Sequence, residues 1–202
     1  MRRVEDKMDF KIFNRWEIVN IQVQDPGLKN YINLNPVLVP RTGGKYAKTR
    51  FWKNKNNIVE RLINKVLIPG HKGKKHKTTS GRFAGKAMKA SKIVYNAFNI
   101  VEEKTKKNPV AVLVKAIENA APRDEITVIE YGGARYPQAV DVSPLRRVGL
   151  ALKHIVHGAS DKAFGKKKDI AQALAEEIML AADGNMESFA MKKKNEATSG
   201  KK

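Results

Sequence analysis

Ile126-Thr127-Val128-Ile129-Glu130-Tyr131-Gly132-Gly133-Ala134-Arg135-Tyr136-Pro137-Gln138-Ala139-Val140-Asp141-Val142-Ser143-Pro144 is the stretch where the period of the chain changes. On either side of it, apolar residues recur at helical spacing. Inside it, Ile126, Val128 and Tyr131 lead into Gly132-Gly133, and Tyr136, Ala139, Val140 and Val142 follow. Two extended runs around a glycine pair predict a β-hairpin over about 125–142. Pro137 has no N–H for a ladder, so its strand is an edge or carries a bulge. An isolated hairpin is marginal in water, so helices or a partner must hold this one.

Working outward, Ser143-Pro144 reads as a cap followed by proline at the first helical position. It opens a helix to about His157, with Gly158 as its stop. Before the hairpin, Asn108-Pro109 repeats that signature, and the helix it opens ends before Pro122. A longer helix is predicted from about Arg82 to Lys104, carried by Met88, Ile93, Tyr95, Ala97, Phe98 and Val101. Another covers about Asn57 to Leu67, with Ile58, Leu62 and Val66 on one face and Pro69-Gly70 beyond it. Downstream, Lys167 to Asp183 is rich in strong helix formers, and Gly184 sits where a terminating glycine belongs. A short last helix runs from Met186 to about Asn195. The fold class expected is mainly α: a bundle of about six helices with a protruding β-hairpin arm and a basic N-terminal extension.

Three regions follow. Residues 1–53 read as a partly extended, basic N-terminal extension, broken by Asp25-Pro26-Gly27, Asn35-Pro36, Val39-Pro40 and Thr42-Gly43-Gly44-Lys45. Residues 54–195 form the helical domain. Residues 196–202 read as a flexible basic tail. No internal repeat or long low-complexity tract interrupts them.

Charge narrows the function. The 202 residues carry 40 Lys and Arg against 20 Asp and Glu, a formal net charge of +20. Such an excess calls for a polyanion. It is also localised: Arg41 to Lys92 holds sixteen basic residues and one acid, Glu60, whereas Ile93 to Val142 holds six basic and seven acidic. The near-neutral middle is left to supply much of the core. No apolar run approaches the roughly 18 residues of a membrane span, and Met1 to Phe10 lacks the apolar centre of a secretory signal. With no cysteine, disulfides and thiolate metal sites are excluded. Two tryptophans and an aromatic content of 7% argue against a surface built from stacked aromatics.

Enzymatic readings fare poorly. Gly81-Arg82-Phe83-Ala84-Gly85-Lys86 resembles a phosphate loop but is one residue short, and Ala87 stands where a metal-binding Ser or Thr is needed. A basic helix N-terminus facing an RNA phosphate suits it better. His154 and His157 share a helix face with Asp161 nearby, a possible metal pair and a more ordinary structural one. His71 and His76 lie among lysines. A metal-dependent RNA hydrolase needs clustered carboxylates that the basic half lacks. Arg135 and Tyr136 lie just past the hairpin turn, where they either enter an RNA groove or decorate an exposed turn. Arg146-Arg147 sits inside a helix N-terminus, where cations oppose the dipole, so the pair answers to something outside the helix, phosphates being the natural candidate.

Several runs resemble small-subunit ribosomal protein seven in its archaeal and eukaryotic form. Gln138-Ala139-Val140-Asp141-Val142-Ser143-Pro144-Leu145-Arg146-Arg147 is one, and the stretch from Asn108 to Asn119 followed by Pro122-Arg123 is another. Ile58 to Leu62 and Ile93 to Phe98 resemble its first two helices, Ser188 to Lys194 its last, and Asp9 to Phe13 with Trp16 its N-terminal extension. The resemblance covers nearly the whole chain in order. It departs at the long basic loop His71 to Ser80 and at Glu196 to Lys202.

What the resemblance implies is a non-enzymatic, structural, cytoplasmic constituent of the small ribosomal subunit. The family binds small-subunit rRNA directly and nucleates assembly of the subunit head. Its arm lies near the exit-site tRNA and the mRNA path, and neighbouring head and platform proteins are its partners. Neither cofactor, metal, membrane nor small-molecule substrate is expected. A general basic DNA- or RNA-binding protein outside the ribosome is the alternative. The residues expected to meet RNA are Arg41, Lys45, Lys48, Arg50, Lys53, Lys55, Arg61, Lys65, Lys72, Lys74, Lys75, Lys77, Arg82 and Lys86, with Arg135, Tyr136, Arg146 and Arg147 as a second zone. Much of the N-terminal extension is expected to order only on binding.

Overall fold

The structure is a computed structural model that describes residues 10–70 and 85–199. Six α-helices and a two-stranded sheet occur in the order α1 (Ile58–Leu67), α2 (Ala87–Thr105), α3 (Pro109–Ala120), β1 (Asp124–Tyr131), β2 (Ala134–Asp141), α4 (Pro144–Ala163), α5 (Ile170–Ala182) and α6 (Phe189–Ser199). A short 3-10 helix, Trp52–Lys55, precedes α1. The mainly helical fold with a hairpin arm is as expected.

Helix starts follow local chemistry. The Asn57 side chain accepts from the Val59 N–H at 2.9 Å, and Asn108 accepts from Val110 at 3.0 Å, each satisfying an orphan donor of the first turn. Pro109 and Pro144 occupy first-turn positions where no N–H is needed.

Helix α5 is the hub, packed against α2, α3, α4 and α6. Its buried face is largely alanine, with Leu174 and Ile178. Small side chains let the neighbouring helices approach closely. Its one buried acid, Glu177, is fully enclosed. Glu177 accepts from Lys162 Nζ on α4 at 2.7 Å, from Ser188 Oγ at 2.7 Å and from the Ala190 N–H at 3.2 Å. One carboxylate thus ties α4, α5 and the first turn of α6 together.

This arrangement explains the first departure from the sequence reading. Gly158 does not stop α4, which continues to Ala163. A Cβ at Gly158 would lie 2.7 Å from both Glu177 Cδ and Phe189 Cβ. Here the glycine provides close approach in mid-helix, at some cost in helix propensity.

The N-terminal stretch is the second departure. Residues Ile12, Trp16, Ile18, Leu28 and Ile32 are buried in the same core as the helices. A tight turn with Phe13 and Asn14 at positive φ closes on Ile12 and Trp16. The Trp16 ring meets Phe98 and Tyr95 at centroid distances of 5.5 and 5.4 Å, and its Nε1 donates to Glu102. Irregular apolar spacing hides this packing from a periodicity search. The third departure is the tail, where α6 reaches Ser199, beyond the expected end near Asn195.

The arm is antiparallel, with Thr127 opposite Gln138 and Tyr131 opposite Ala134. Gly132 and Gly133 have φ values of 55° and 79°, the signs a two-residue turn needs to match strand twist. Pro137 faces Val128 without loss, because both strands of a two-stranded ribbon are edges. At the root, the Arg146 guanidinium forks onto Glu125 at 2.9 and 3.2 Å. Arg147, buried, donates to Asp25 at 2.7 Å and to the Pro122 carbonyl at 3.2 Å. These two arginines therefore answer carboxylates of the same chain.

Two acid-sensitive groups lie in this frame. His154, on α4, is pushed down to about 4 by burial first, then by His157, Lys153 and Lys193 nearby. Its Nδ1 has no hydrogen-bond partner among the described residues. Asp25 feels burial, which alone would raise its pKa. The Arg147 hydrogen bond, the Gly27 N–H and the charge of Arg147 outweigh it and hold the carboxyl below 3.8.

Two expectations follow. Gly158→Ala should lower stability in urea unfolding by about 1–3 kcal/mol. Gly149→Ala, in the same helix with nothing within 4 Å of its added Cβ, should raise it by about 0.5–1 kcal/mol. In acid, the unfolded chain takes up a proton at His154 from about pH 6.5 downward, and the native protein does so only near pH 4. Stability should fall across that window, and His154→Leu should flatten the fall. The Asp25 contribution is fully present above pH 3.8 and is lost as pH falls through its lower folded value. Asp25→Asn should remove that last phase and cost about 1.5–3 kcal/mol at neutral pH, read from thermal melts.

Candidate RNA-binding surface

The basic stretch before α1 is an irregular strap across the surface. Its start is pinned by Glu60, which is buried in the first turn of α1 and accepts from the Thr42 N–H at 2.9 Å and the Thr42 hydroxyl at 2.6 Å. The one acid between Arg41 and Lys92 thus anchors the strap and leaves its cations uncompensated. Lys45, Lys48, Arg50, Lys53 and Lys55 are all exposed beyond it. None of them is ion-paired to a carboxylate among the described residues.

Three aromatic rings lie among these cations. Phe51 and Trp52 are 61% and 40% exposed, and Tyr46 is half-buried. Tyr46 meets Trp52 edge-on at 6.4 Å. Arg50 sits over Phe51 at 4.7 Å, Lys55 over Trp52 at 3.8 Å and Lys45 over Tyr46 at 5.8 Å. Each such contact contributes about 0.5–1 kcal/mol at an exposed site. Phe51 has φ 68°, ψ −9°, a left-handed conformation that costs a bulky L-residue about 1–2 kcal/mol.

A second concentration of charge forms where α1 meets α4. Lys65 is held below its ordinary pKa by burial first, then by the charges of Lys53, Lys153 and Arg61. A phosphate drawn to this place would relieve that repulsion. Lys153 is absent from the sequence expectation. It lies far from the basic front half in the sequence, and only the packing of α4 on α1 brings it to Lys65.

The remaining expected residues divide clearly. Arg61 is buried; burial lowers its pKa to about 10, and it donates to the Tyr31 carbonyl at 3.0 Å. Arg147 is buried behind Asp25. Both are structural, because a guanidinium enclosed by the fold cannot reach a phosphate. Arg146 is exposed and shared with Glu125. Arg41 is exposed beside Met88, and Lys86 is exposed immediately before α2. On the arm, Tyr136 is 60% exposed and Arg135 lies near Glu130 at 3.4 Å, a solvated pair. Lys72, Lys74, Lys75, Lys77 and Arg82, together with His71, His76 and the start of the loop Gly81 to Lys86, lie outside the described residues.

The two histidines of α4 are taken up by packing. His157 is buried with Nε2 2.9 Å from the Pro69 carbonyl, and the His154 ring lies 6.2 Å from Phe189. Among the described residues no group of three or more His, Cys, Asp or Glu could hold a metal ion. No helix of the described residues is long and apolar enough to cross a membrane.

The sequence model of the family described as ribosomal protein S7p/S5e matches residues 28–199. The match takes in the strap, all six helices and the arm. Among individual proteins, the small ribosomal subunit protein uS7 of Nanoarchaeum equitans is 52% identical over 94% of this chain and 96% of its own length. Its counterpart in Methanosphaera stadtmanae is 48% identical over 94% and 95% of the two chains. That of Methanothermobacter thermautotrophicus is 49% identical over 92% and 94%. Near-complete coverage at about half identity leaves no room for a shared fragment alone, and the chain belongs to the ribosomal protein S7p/S5e family.

Proposed function

We propose that this protein is a structural constituent of the small ribosomal subunit that binds small-subunit rRNA directly and nucleates assembly of the subunit head. The observation that carries the reading is full-length similarity to proteins named small ribosomal subunit protein uS7, joined to a surface of unpaired cations on residues 41–55. Its role is scaffolding, not catalysis, and its place is the cytoplasm, within the subunit. Residues 1–53 act with the helical domain, which α6 extends to Ser199, as one RNA-binding body.

The proposed interface comprises Arg41, Lys45, Lys48, Arg50, Lys53, Lys55, Lys65, Lys86 and Lys153, with Lys72, Lys74, Lys75, Lys77 and Arg82 in the adjoining loop. Arg61 and Arg147 are left out because the fold consumes them. Arg135, Tyr136 and Arg146 form the second zone, with the arm near the exit-site tRNA and the mRNA path and neighbouring head and platform proteins around it. The arm's exposed apolar residues, Val128, Ile129, Tyr131 and Tyr136 among them, are consistent with a ribbon that is covered only in an assembly.

Binding of the purified chain to head-domain rRNA should be steeply salt-dependent. With about 8 phosphate contacts, log affinity should fall with a slope of about −6 to −7 against log salt, and a nearly flat titration would overturn the electrostatic interface. Replacing Lys45, Lys48, Arg50 and Lys55 together by glutamine should reduce the slope by about 3–4 and leave the helical circular dichroism spectrum unchanged. Excess duplex DNA should compete poorly; strong competition favours a general nucleic-acid binder. Magnesium and RNA incubated with the protein should give no cleavage, and cleavage abolished by His154→Ala would point to a hydrolase. The protein should sediment with small subunits after a high-salt wash.

A further inference from the structure

Aromatic residues make up only 7% of the chain, which argues against an aromatic binding surface in general. Their placement argues for one in particular. Phe13, Trp16, Tyr95 and Phe98 pack against one another at the core. Tyr46, Phe51 and Trp52 instead gather on the basic strap, with the last two exposed.

The contacts inside the protein reward that placement only modestly, at about 0.5–1 kcal/mol for each exposed cation–ring pair. Phe51 keeps a left-handed backbone while 61% of its surface faces water. An unfavourable conformation that presents an apolar ring to solvent gains its return from a partner. Each ring already has a cation near it: Arg50 by Phe51, Lys55 by Trp52 and Lys45 by Tyr46. Flat apolar rings interleaved with positive charge match a flat aromatic ligand that carries negative charge beside it. A single-stranded nucleic acid has that chemistry, with base faces to stack and phosphates to neutralise. A regular RNA duplex hides its base faces within the stack, and side chains do not enter its deep groove. An acidic peptide would meet the cations and leave Phe51 and Trp52 wet.

We infer that residues 45–55 form a stacking site for unpaired nucleobases, with Phe51 and Trp52 receiving bases and Lys45, Arg50 and Lys55 the adjoining phosphates. The inference rests on the RNA-binding reading and narrows it: the RNA that meets this strap is single-stranded.

The full-length chain carries its own reporter. Trp16 is 3% exposed and bonded to Glu102, so the tryptophan open to a ligand is Trp52. Two labelled probes serve, an oligoadenylate of about 12 nucleotides and an RNA duplex of about the same length. Oligoadenylate should quench the exposed part of the tryptophan emission, and the duplex should leave it nearly unchanged. Phe51→Ala and Trp52→Ala should each weaken oligoadenylate binding about tenfold and duplex binding less than twofold. Each variant loses one exposed cation–ring contact, so the melting midpoint should fall by no more than about 2–4 °C, and a thermal melt checks it. Equal losses on the two probes, absent quenching, or competition by polyglutamate as strong as by oligoadenylate would each sink the stacking site. Steep salt dependence on both probes without discrimination removes the stacking site and leaves the RNA reading standing. If neither probe binds, or if binding to both is independent of salt, both readings fall.

Discussion

The helical body depends on one buried carboxylate. Glu177 lies fully enclosed on α5, where an isolated charge would cost several kcal/mol. It is tolerated because Lys162, the Ser188 hydroxyl and the Ala190 N–H all reach it. Those three donors come from α4, from the turn before α6 and from the first turn of α6, so satisfying one acid positions two other helices. Gly158 is the steric counterpart: any side chain there would collide with the carboxyl group and with Phe189. Removing either member should leave the last helix poorly seated, and α6 in turn packs against the root of the arm through β1.

Charge is divided between construction and recognition by burial, not by residue type. Arg61 and Arg147 look like their basic neighbours in the sequence, yet one is bonded to the Tyr31 carbonyl and the other to Asp25 and Pro122. Glu60 and Asp25, few as acids are in the front of the chain, are likewise spent on internal order. Cations without such partners are left on the strap and where α1 meets α4, where burial first, and then the charges of Lys53, Lys153 and Arg61, lower the pKa of Lys65. A polyanion lowers the energy of that surface without touching the core.

Much of this was legible from local signals. Asn108-Pro109 and Ser143-Pro144 marked helix starts because such a signature is a property of adjacent residues. Gly132-Gly133 marked the hairpin because the turn needs two positive φ values. The concentration of lysine and arginine after Arg41 was visible in the same way. The N-terminal stretch was legible only in part: Trp16, Ile18, Ile21 and Val23 alternate loosely, but the burial of Ile12, Trp16, Ile18, Leu28 and Ile32 in the common core depends on surfaces supplied by distant helices. Gly158 was misread because a glycine late in a helical pattern is locally indistinguishable from a stop.

The sequence by itself determined the element types, the basic character of the front half and the family, since each is written in neighbouring residues or in their order. Tertiary structure alone decided which arginines are structural, which lysine joins Lys65, and that sparse aromatics cluster on the charged strap. Those outcomes depend on contacts between residues far apart in the chain, whose cost or gain exists only once helices have packed. The hairpin shows both halves at once. Its turn was set by two glycines, but its attachment to the body rests on Arg146 finding Glu125 and on α6 lying against β1, which no local pattern encodes.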